Sequence, residues 1–151
     1  MKKKLCSALL SLALLIGLFN VPAWAAVVLV SGECGESGND VTWTLDRDGL
    51  FTVRGAGKMY NYTDAESLPW RDYREQIKTV TIENGVTTVG NNAFRTCGKL
   101  ASVTLPDSLT SIGNVAFYEC GSLTAITIPA NVTTIGANAF GYCALTDITI
   151  P

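Results

Sequence analysis

Apolar and polar positions recur along the second half of the chain with a period of 23 residues. The interval holds for a glycine, a phenylalanine and a cysteine in each unit. These landmarks are Gly90, Gly113, Gly136, Phe94, Phe117, Phe140, Cys97, Cys120 and Cys143. A fixed interval of this length indicates stacked structural units, each of which buries its apolar residues against its neighbours.

Each unit opens with the alternation typical of a β-strand. In the segment 103–105, Val103 and Leu105 point inward and Thr104 points outward, and segments 80–82, 126–128 and 148–150 are equivalent. A second apolar pair follows, and then a glycine that we expect to turn the chain at positive φ. The segment 116–120 has helix-like spacing and predicts a single helical or 3₁₀ turn.

No single unit can bury both of its apolar rows, whereas stacked units can. The pattern therefore predicts an α/β solenoid that is mostly β, with strands aligned in a parallel sheet at about 4.8 Å per coil.

These residues resemble the BspA-like bacterial leucine-rich repeats, whose pattern LxxIxIPxxVxxIGxxAFxxCxxL is matched across 77–151. The resemblance implies a right-handed leucine-rich-repeat coil with one parallel strand per repeat, here three units and a partial fourth. It also implies a secreted or cell-surface protein that acts in adhesion and in contact with a host or matrix. The first unit has Glu83 where later units have Pro106 and Pro129, as expected for an atypical first coil.

Residues 26–76 do not repeat, and we predict that they form an N-terminal capping module. Segments 41–45 and 50–53 alternate on either side of a turn sequence, which predicts a β-hairpin. Segment 69–76 begins with proline and has apolar residues at helical spacing, which predicts a short amphipathic helix. A solenoid exposes the core of its first coil unless another segment covers it. This module also resembles the one that often precedes BspA-like repeats.

Residues 1–25 have the pattern of a signal peptide. Three lysines precede an apolar run from Leu5 to Phe19, and Ala23-Trp24-Ala25 supplies small residues for cleavage. The run is shorter than the roughly 20 residues that span a bilayer, so we expect export and no membrane span in the mature chain. Loss of the three lysines leaves 8 basic and 13 acidic residues, a net charge of −5. Nucleic acid is excluded as a partner because binding it requires clustered basic residues.

The composition also argues against catalysis. The chain contains no histidine, which excludes Ser-His and Cys-His nucleophiles, and acids such as Asp46, Asp64 and Glu66 fall in turns and loops. We expect no catalytic residue, no cofactor and no metal site, since the sequence also lacks a CxxC pair.

Four cysteines remain after removal of the leader: Cys34, Cys97, Cys120 and Cys143. We expect the three periodic cysteines to stack in a buried ladder of free thiols. Disulfides between neighbouring coils stay open as an alternative, because adjacent α-carbons lie within disulfide reach.

Two kinds of surface residue are candidates for binding a protein or glycan. The first is the outward row of the strands. Its members are Thr81, Thr104, Thr127 and Thr149. The second is Tyr118 and Tyr142, which we place at one repeat position just before the cysteine, where the first unit has Thr96. Threonine also suits any exposed strand, and tyrosine can shield an edge, so purely structural roles remain open.

The four-strand face is small. Its area is on the order of 150 Å², against about 800 Å² per partner in a standard interface. The alternative function is therefore a structural spacer, or a cap fragment of a longer multidomain surface protein. An ice-binding lattice is a weaker alternative because the threonine row is single.

The segment 148–151 ends directly after a strand. An unpaired apolar edge there is expected to pair end to end with another chain, or to continue into further repeats.

Overall fold

The computed structural model describes residues 27–151, and the predicted leader lies outside this range. The described chain forms three sheets around one core. A five-stranded sheet and a two-stranded sheet that lies beside it make up what we call the front sheet, and a four-stranded back sheet faces them. The front-sheet strands are β1 (Val28–Gly35), β2 (Gly38–Asp46), β3 (Leu50–Gly55), β5 (Thr79–Ile82), β7 (Ser102–Thr104), β9 (Ala125–Thr127) and β11 (Asp147–Thr149). The back-sheet strands are β4 (Gly57–Lys58), β6 (Val86–Val89), β8 (Ser111–Ile112) and β10 (Thr134–Ile135).

The front sheet changes from antiparallel to parallel at β3. Strands β1, β2 and β3 are antiparallel neighbours, and β3 then pairs in parallel with β5, which pairs in parallel with β7. Strands β9 and β11 form a parallel pair, and β9 lies beside β7. The mostly β architecture with parallel strands in the repeats is therefore confirmed.

The hairpin predicted over 41–45 and 50–53 is present as β2 and β3. The Asp46 carboxylate closes its turn by accepting hydrogen bonds from the backbone N–H groups of Asp48 and Leu50, both at 2.9 Å. The sequence analysis missed β1, which pairs along the other edge of β2. The back sheet was not predicted either, because its strands of two or four residues show no alternating pattern.

The later front strands end one residue earlier than predicted. Strands β7, β9 and β11 stop at threonine, and the next apolar residue precedes a proline, which has no N–H group to extend the ladder. In the first unit, Glu83 replaces the proline. Its backbone N–H donates to the Val53 carbonyl at 2.9 Å, and β5 includes Ile82.

The expectation that the repeat glycines turn the chain at positive φ is wrong. Gly113 is not among the residues with positive φ, and the left-handed positions lie further along the turn, at Val115 and Glu119. Glycine is needed because the coils approach closely. A β-carbon at Gly113 would lie 2.6 Å from the backbone nitrogen of Asn91 in the preceding coil.

The predicted helical turn at 116–120 is a series of hydrogen-bonded turns. The Cys120 N–H donates to the Phe117 carbonyl at 3.3 Å, but the left-handed backbone at Val115 and Glu119 prevents a continuous helix. In the non-repeating part, two 3₁₀-helices are formed, Ala65–Ser67 and Arg71–Gln76. The second replaces the amphipathic helix predicted over 69–76 and begins after Trp70.

Aromatic rings run through the core from the non-repeating part into the repeats. Phe94, Phe117 and Phe140 stack in parallel at centroid distances of 5.3 and 5.4 Å. Phe51 contacts the first of these rings edge-on at 5.5 Å, and the buried Trp70 indole donates to the Ala93 carbonyl at 3.0 Å. The segment up to residue 76 and the first repeat therefore share one core, and the boundary at residue 76 stays a prediction.

Candidate functional site

The predicted threonine row lies on the outer face of the front sheet. Thr81 is directly opposite Thr104, and Thr127 is directly opposite Thr149. Thr81 is half-buried and the other three are exposed. Alternation produces this face, because the inward neighbours Val80 and Ile126 are buried.

The row continues into the non-repeating strands, which the sequence analysis did not predict. The parallel pairing of β3 with β5 sets Thr52 opposite Thr81, and Thr44 and Ser31 follow on β2 and β1. The alternation in segment 41–45 was a signal for Thr44, but only the pairing across residue 76 reveals the common register. Hydroxyl side chains thus align from Ser31 on β1 to Thr104 on β7, with Thr52 buried within the row, and Thr127 and Thr149 align on the adjacent pair β9 and β11. The seven strands extend about 29 Å from end to end at about 4.8 Å per strand.

A charged pair flanks this row. Arg54 and Glu83 follow directly after the paired residues Val53 and Ile82, and their side chains form an ion pair at 3.6 Å. About half of each side chain is exposed, so both charges are available to solvent. The outer face consequently combines uncharged hydroxyls with this ion pair, and the exposed carboxylates of Glu33 and Asp147 lie two residues from Ser31 and Thr149 on the same face.

Tyr118 and Tyr142 contact each other on the turns, but they do not occupy equivalent repeat positions. They are 24 residues apart, because Tyr118 lies two residues before Cys120 whereas Tyr142 immediately precedes Cys143. The one-residue offset allows an edge-to-face contact with ring centroids 5.1 Å apart, and the Arg95 guanidinium lies 5.5 Å from the Tyr118 ring centroid. Gly141 provides the space, since a β-carbon there would lie 2.9 Å from the Tyr118 ring.

The two tyrosines differ in exposure and environment. Tyr142 is 77% exposed and Tyr118 is half-buried. Desolvation, followed by the neighbouring Tyr142 and Glu119, raises the pKa of the Tyr118 hydroxyl, although Arg95 acts in the opposite direction. The Tyr118 phenol is therefore a neutral hydrogen-bonding group at physiological pH.

The described cysteines are free thiols, but they are not equally buried. Cys97 and Cys120 are fully buried, whereas Cys143 is half-buried, so the expectation of a uniformly buried ladder is wrong at its last member. Burial raises the pKa of Cys97 to about 12.

The last coils also expose apolar side chains. Ile135, Ile148 and Ile150 are 44%, 50% and 68% exposed, and β11 has a paired strand, β9, on one side. These residues form an apolar surface at the carboxyl end of the described stack.

The acidic residues noted in the sequence have structural contacts. Asp46 closes the hairpin turn, Asp64 caps the first 3₁₀-helix by accepting from the Ser67 N–H at 2.8 Å, and Glu66 pairs with Arg74 at 3.0 Å. Within residues 27–151, no cluster of three or more potential metal-ligating side chains occurs. No helix in the described part of the chain is both long and apolar enough to span a membrane.

Comparison with solved structures identifies two similar bacterial leucine-rich-repeat proteins. A protein from Eubacterium ventriosum matches with a TM-score of 0.61 and 23% identity, covering 81% of this chain and 41% of its own. A protein from Bacteroides capillosus matches with a TM-score of 0.54 and 22% identity, covering 74% of this chain and 94% of its own. The chain thus spans less than half the length of the first of these proteins.

Sequence comparison gives the family. None of the curated proteins matches the chain. A family model described as "BspA type Leucine rich repeat region (6 copies)" matches residues 72–151, which is more than half of the sequence. The chain belongs to the BspA-type leucine-rich-repeat family.

Proposed function

We propose that this chain is an exported, non-catalytic module that binds a protein partner through the outer face of the front sheet. The observation that carries the proposal is the register of hydroxyl side chains across both the non-repeating and the repeating strands. The exposed and half-buried hydroxyls on either side of the buried Thr52 offer donors and acceptors to a partner, whereas the opposite face of the same sheet is filled by core residues.

Export and surface location are supported by two independent features. The leader pattern over residues 1–25 supports cleavage after Ala25. BspA-like repeat proteins are commonly found at the cell surface and leucine-rich-repeat proteins typically lack catalytic activity. The binding partner of the whole protein is likewise a proposal.

The size of the face sets the expected affinity. Seven strands give a face on the order of 290 Å², still below the roughly 800 Å² per partner of a standard interface. A stable complex would therefore also use the Arg54–Glu83 pair or the tyrosines on the turns. A glycan ligand is the alternative, since hydroxyls and exposed tyrosine rings also suit sugars.

Binding can be tested with charge substitutions on the two sheets. The mature chain would be screened by surface plasmon resonance against purified extracellular-matrix proteins and a glycan array. The double substitution Thr104→Glu and Thr127→Glu should weaken a protein interaction at least about tenfold, because it buries unpaired charges in the interface. The matched control is Thr134→Glu, which changes an exposed residue of the back sheet.

Each outcome discriminates between the functions. Binding that both variants reduce equally, or that neither reduces, would contradict the front-sheet proposal. Binding to glycans alone would favour the alternative ligand. No binding across the panel would favour a structural spacer or cap fragment.

The apolar surface formed by Ile135, Ile148 and Ile150 supports a second candidate, end-to-end association with another copy of the chain. Sedimentation of the mature chain tests it, and a monomer that persists at high concentration would argue against it.

A further inference from the structure

Cys120 and Cys143 form a closely spaced pair on successive turns. Backbone hydrogen bonds hold the two turns in register just before the cysteines, from Phe117 N–H to the Ala139 carbonyl and from Glu119 N–H to the Gly141 carbonyl, both at 2.8 Å. Successive coils are about 4.8 Å apart, within the range of α-carbon separations seen in disulfides. The backbone therefore already has the spacing that a cross-link requires.

The two sulfurs also point in the same direction. Cys120 Sγ lies 3.2 Å from the Phe94 carbonyl, and Cys143 Sγ lies 3.1 Å from the Phe117 carbonyl, each in the preceding coil. The Cys143 side chain thus extends from its own turn toward the turn that carries Cys120. Cys97 extends the ladder by one more coil but is fully buried.

The cysteines of the ladder differ in their exposure to solvent. Cys143 is half-buried, whereas Cys97, Cys120 and Cys34 are fully buried. A reagent in solution can reach the half-buried Cys143 without opening the core, whereas it cannot reach the fully buried Cys120 directly.

The pKa values of the two thiols also differ in the direction that makes Cys143 the more reactive one. Hydrogen bonding by the Cys120 thiol lowers the pKa of Cys143 to about 7, and the same contact, together with burial, raises the pKa of Cys120. When Cys143 ionises, the Cys120 S–H group can turn from the Phe94 carbonyl to the Cys143 sulfur. The accessible sulfur is therefore the one that becomes the thiolate nucleophile.

We propose that Cys143 is a reactive thiol and that a small disulfide, such as glutathione disulfide, converts Cys143 and Cys120 into an inter-coil disulfide. The Cys143 thiolate attacks one sulfur of the reagent, forming a mixed disulfide and releasing one glutathione thiolate. Cys120 then loses its proton to that thiolate and attacks the Cys143 sulfur, which expels the second glutathione. One reagent molecule is reduced to two thiols, and two protein thiols are oxidised to one disulfide.

The experiment treats the folded mature chain with glutathione disulfide and maps the thiols by differential alkylation and mass spectrometry. We expect two of the four thiols to be lost, with Cys120 and Cys143 joined. Cys143→Ser should reduce the rate of thiol loss at least about tenfold, because no accessible thiolate remains. Cys97→Ala is the matched control in the same ladder and should leave the cross-link unchanged.

Cys120→Ala separates the two steps, since Cys143 should then accumulate as the glutathione mixed disulfide. Circular dichroism melting verifies that each variant is folded, and Cys143→Ser, at a half-buried position, provides the test if Cys120→Ala does not fold. A cross-link that contains Cys97, a stable mixed disulfide in the unsubstituted chain, or four unreactive thiols in the folded protein would each overturn the proposal.

Discussion

Among residues 27–151, six residues other than glycine have a left-handed backbone, and they fall at two positions that recur in each repeat. The first position contains Asn92, Val115 and Asn138, and the second contains Thr96, Glu119 and Tyr142. The left-handed region costs an L-residue about 1–2 kcal/mol, less for asparagine, and most for β-branched side chains. Val115, with φ of 49°, and Thr96, with φ of 61°, are the β-branched members and are therefore the most strained of the six.

Replacing Val115 by asparagine should stabilise the protein by about 1 kcal/mol, because the strain is relieved at a half-buried site. The reciprocal change, Asn138→Val, places a β-branched residue at the equivalent position and should destabilise by a similar amount. Urea unfolding of the two variants measures both changes. A loss of stability on Val115→Asn would mean that valine packing outweighs backbone strain.

At the scale of the structural elements, an asparagine ladder joins the coils. The Asn61 side chain accepts from the Asn91 N–H at 2.9 Å, Asn91 from the Asn114 N–H, and Asn114 from the Ala137 N–H, the last two at 2.8 Å. These bonds require backbone contact between coils, which the adjacent repeat glycines permit. The third repeat has Ala137 at the ladder position and provides no such acceptor for a following coil.

The glycine contact gives a sharp prediction. Gly113→Ala should destabilise the protein by roughly 2–3 kcal/mol, because the new β-carbon would overlap the backbone of the preceding coil and separate the two turns. Gly121→Ala is the control, since a β-carbon there meets no atom within 4 Å and Gly121 is not at positive φ. Chemical denaturation should find the control within about 0.5 kcal/mol of the unsubstituted chain. Equal losses in the two variants would contradict the close-approach explanation.

At the scale of the whole molecule, the repeat and its strands were predictable because their signals lie within a single unit. Thr104 alternates with inward Val103 and Leu105, and segments 41–45 and 50–53 flank an obvious turn. The pairing of β3 with β5 was not predictable, because nothing in either strand specifies its neighbour across residues 56–78. The candidate surface was accordingly predicted only in part. The threonines of the repeats were predicted, whereas Thr44 and Thr52 were not.

The glycines illustrate a different limit. Their recurrence at Gly90, Gly113 and Gly136 was visible, but the physical reason was misassigned. A recurring glycine shows that a side chain is excluded at that position. The sequence does not show whether the cause is a positive φ angle or contact with a neighbouring coil. Likewise, the structural reason for the one-residue offset of Tyr142 relative to Tyr118 is the contact between the two rings.

The loss of burial at β11 has a consequence for the order in which the molecule opens. Val80 in β5 is fully buried and the equivalent Ile126 in β9 is 4% exposed, whereas Ile148 in β11 is 50% exposed, so separating β11 from β9 exposes less additional apolar surface than separating the strands before it. In a stack in which each coil contacts its neighbours, local opening should therefore start at β11 and require more free energy toward β5. Native-state hydrogen exchange should find the Ile128 amide, which donates to Thr149, exchanging well before the Glu83 amide, which donates to Val53. Equal exchange at the two amides would instead indicate a single cooperative unit, in which the last strand could not detach from the coil beneath it without unfolding the rest.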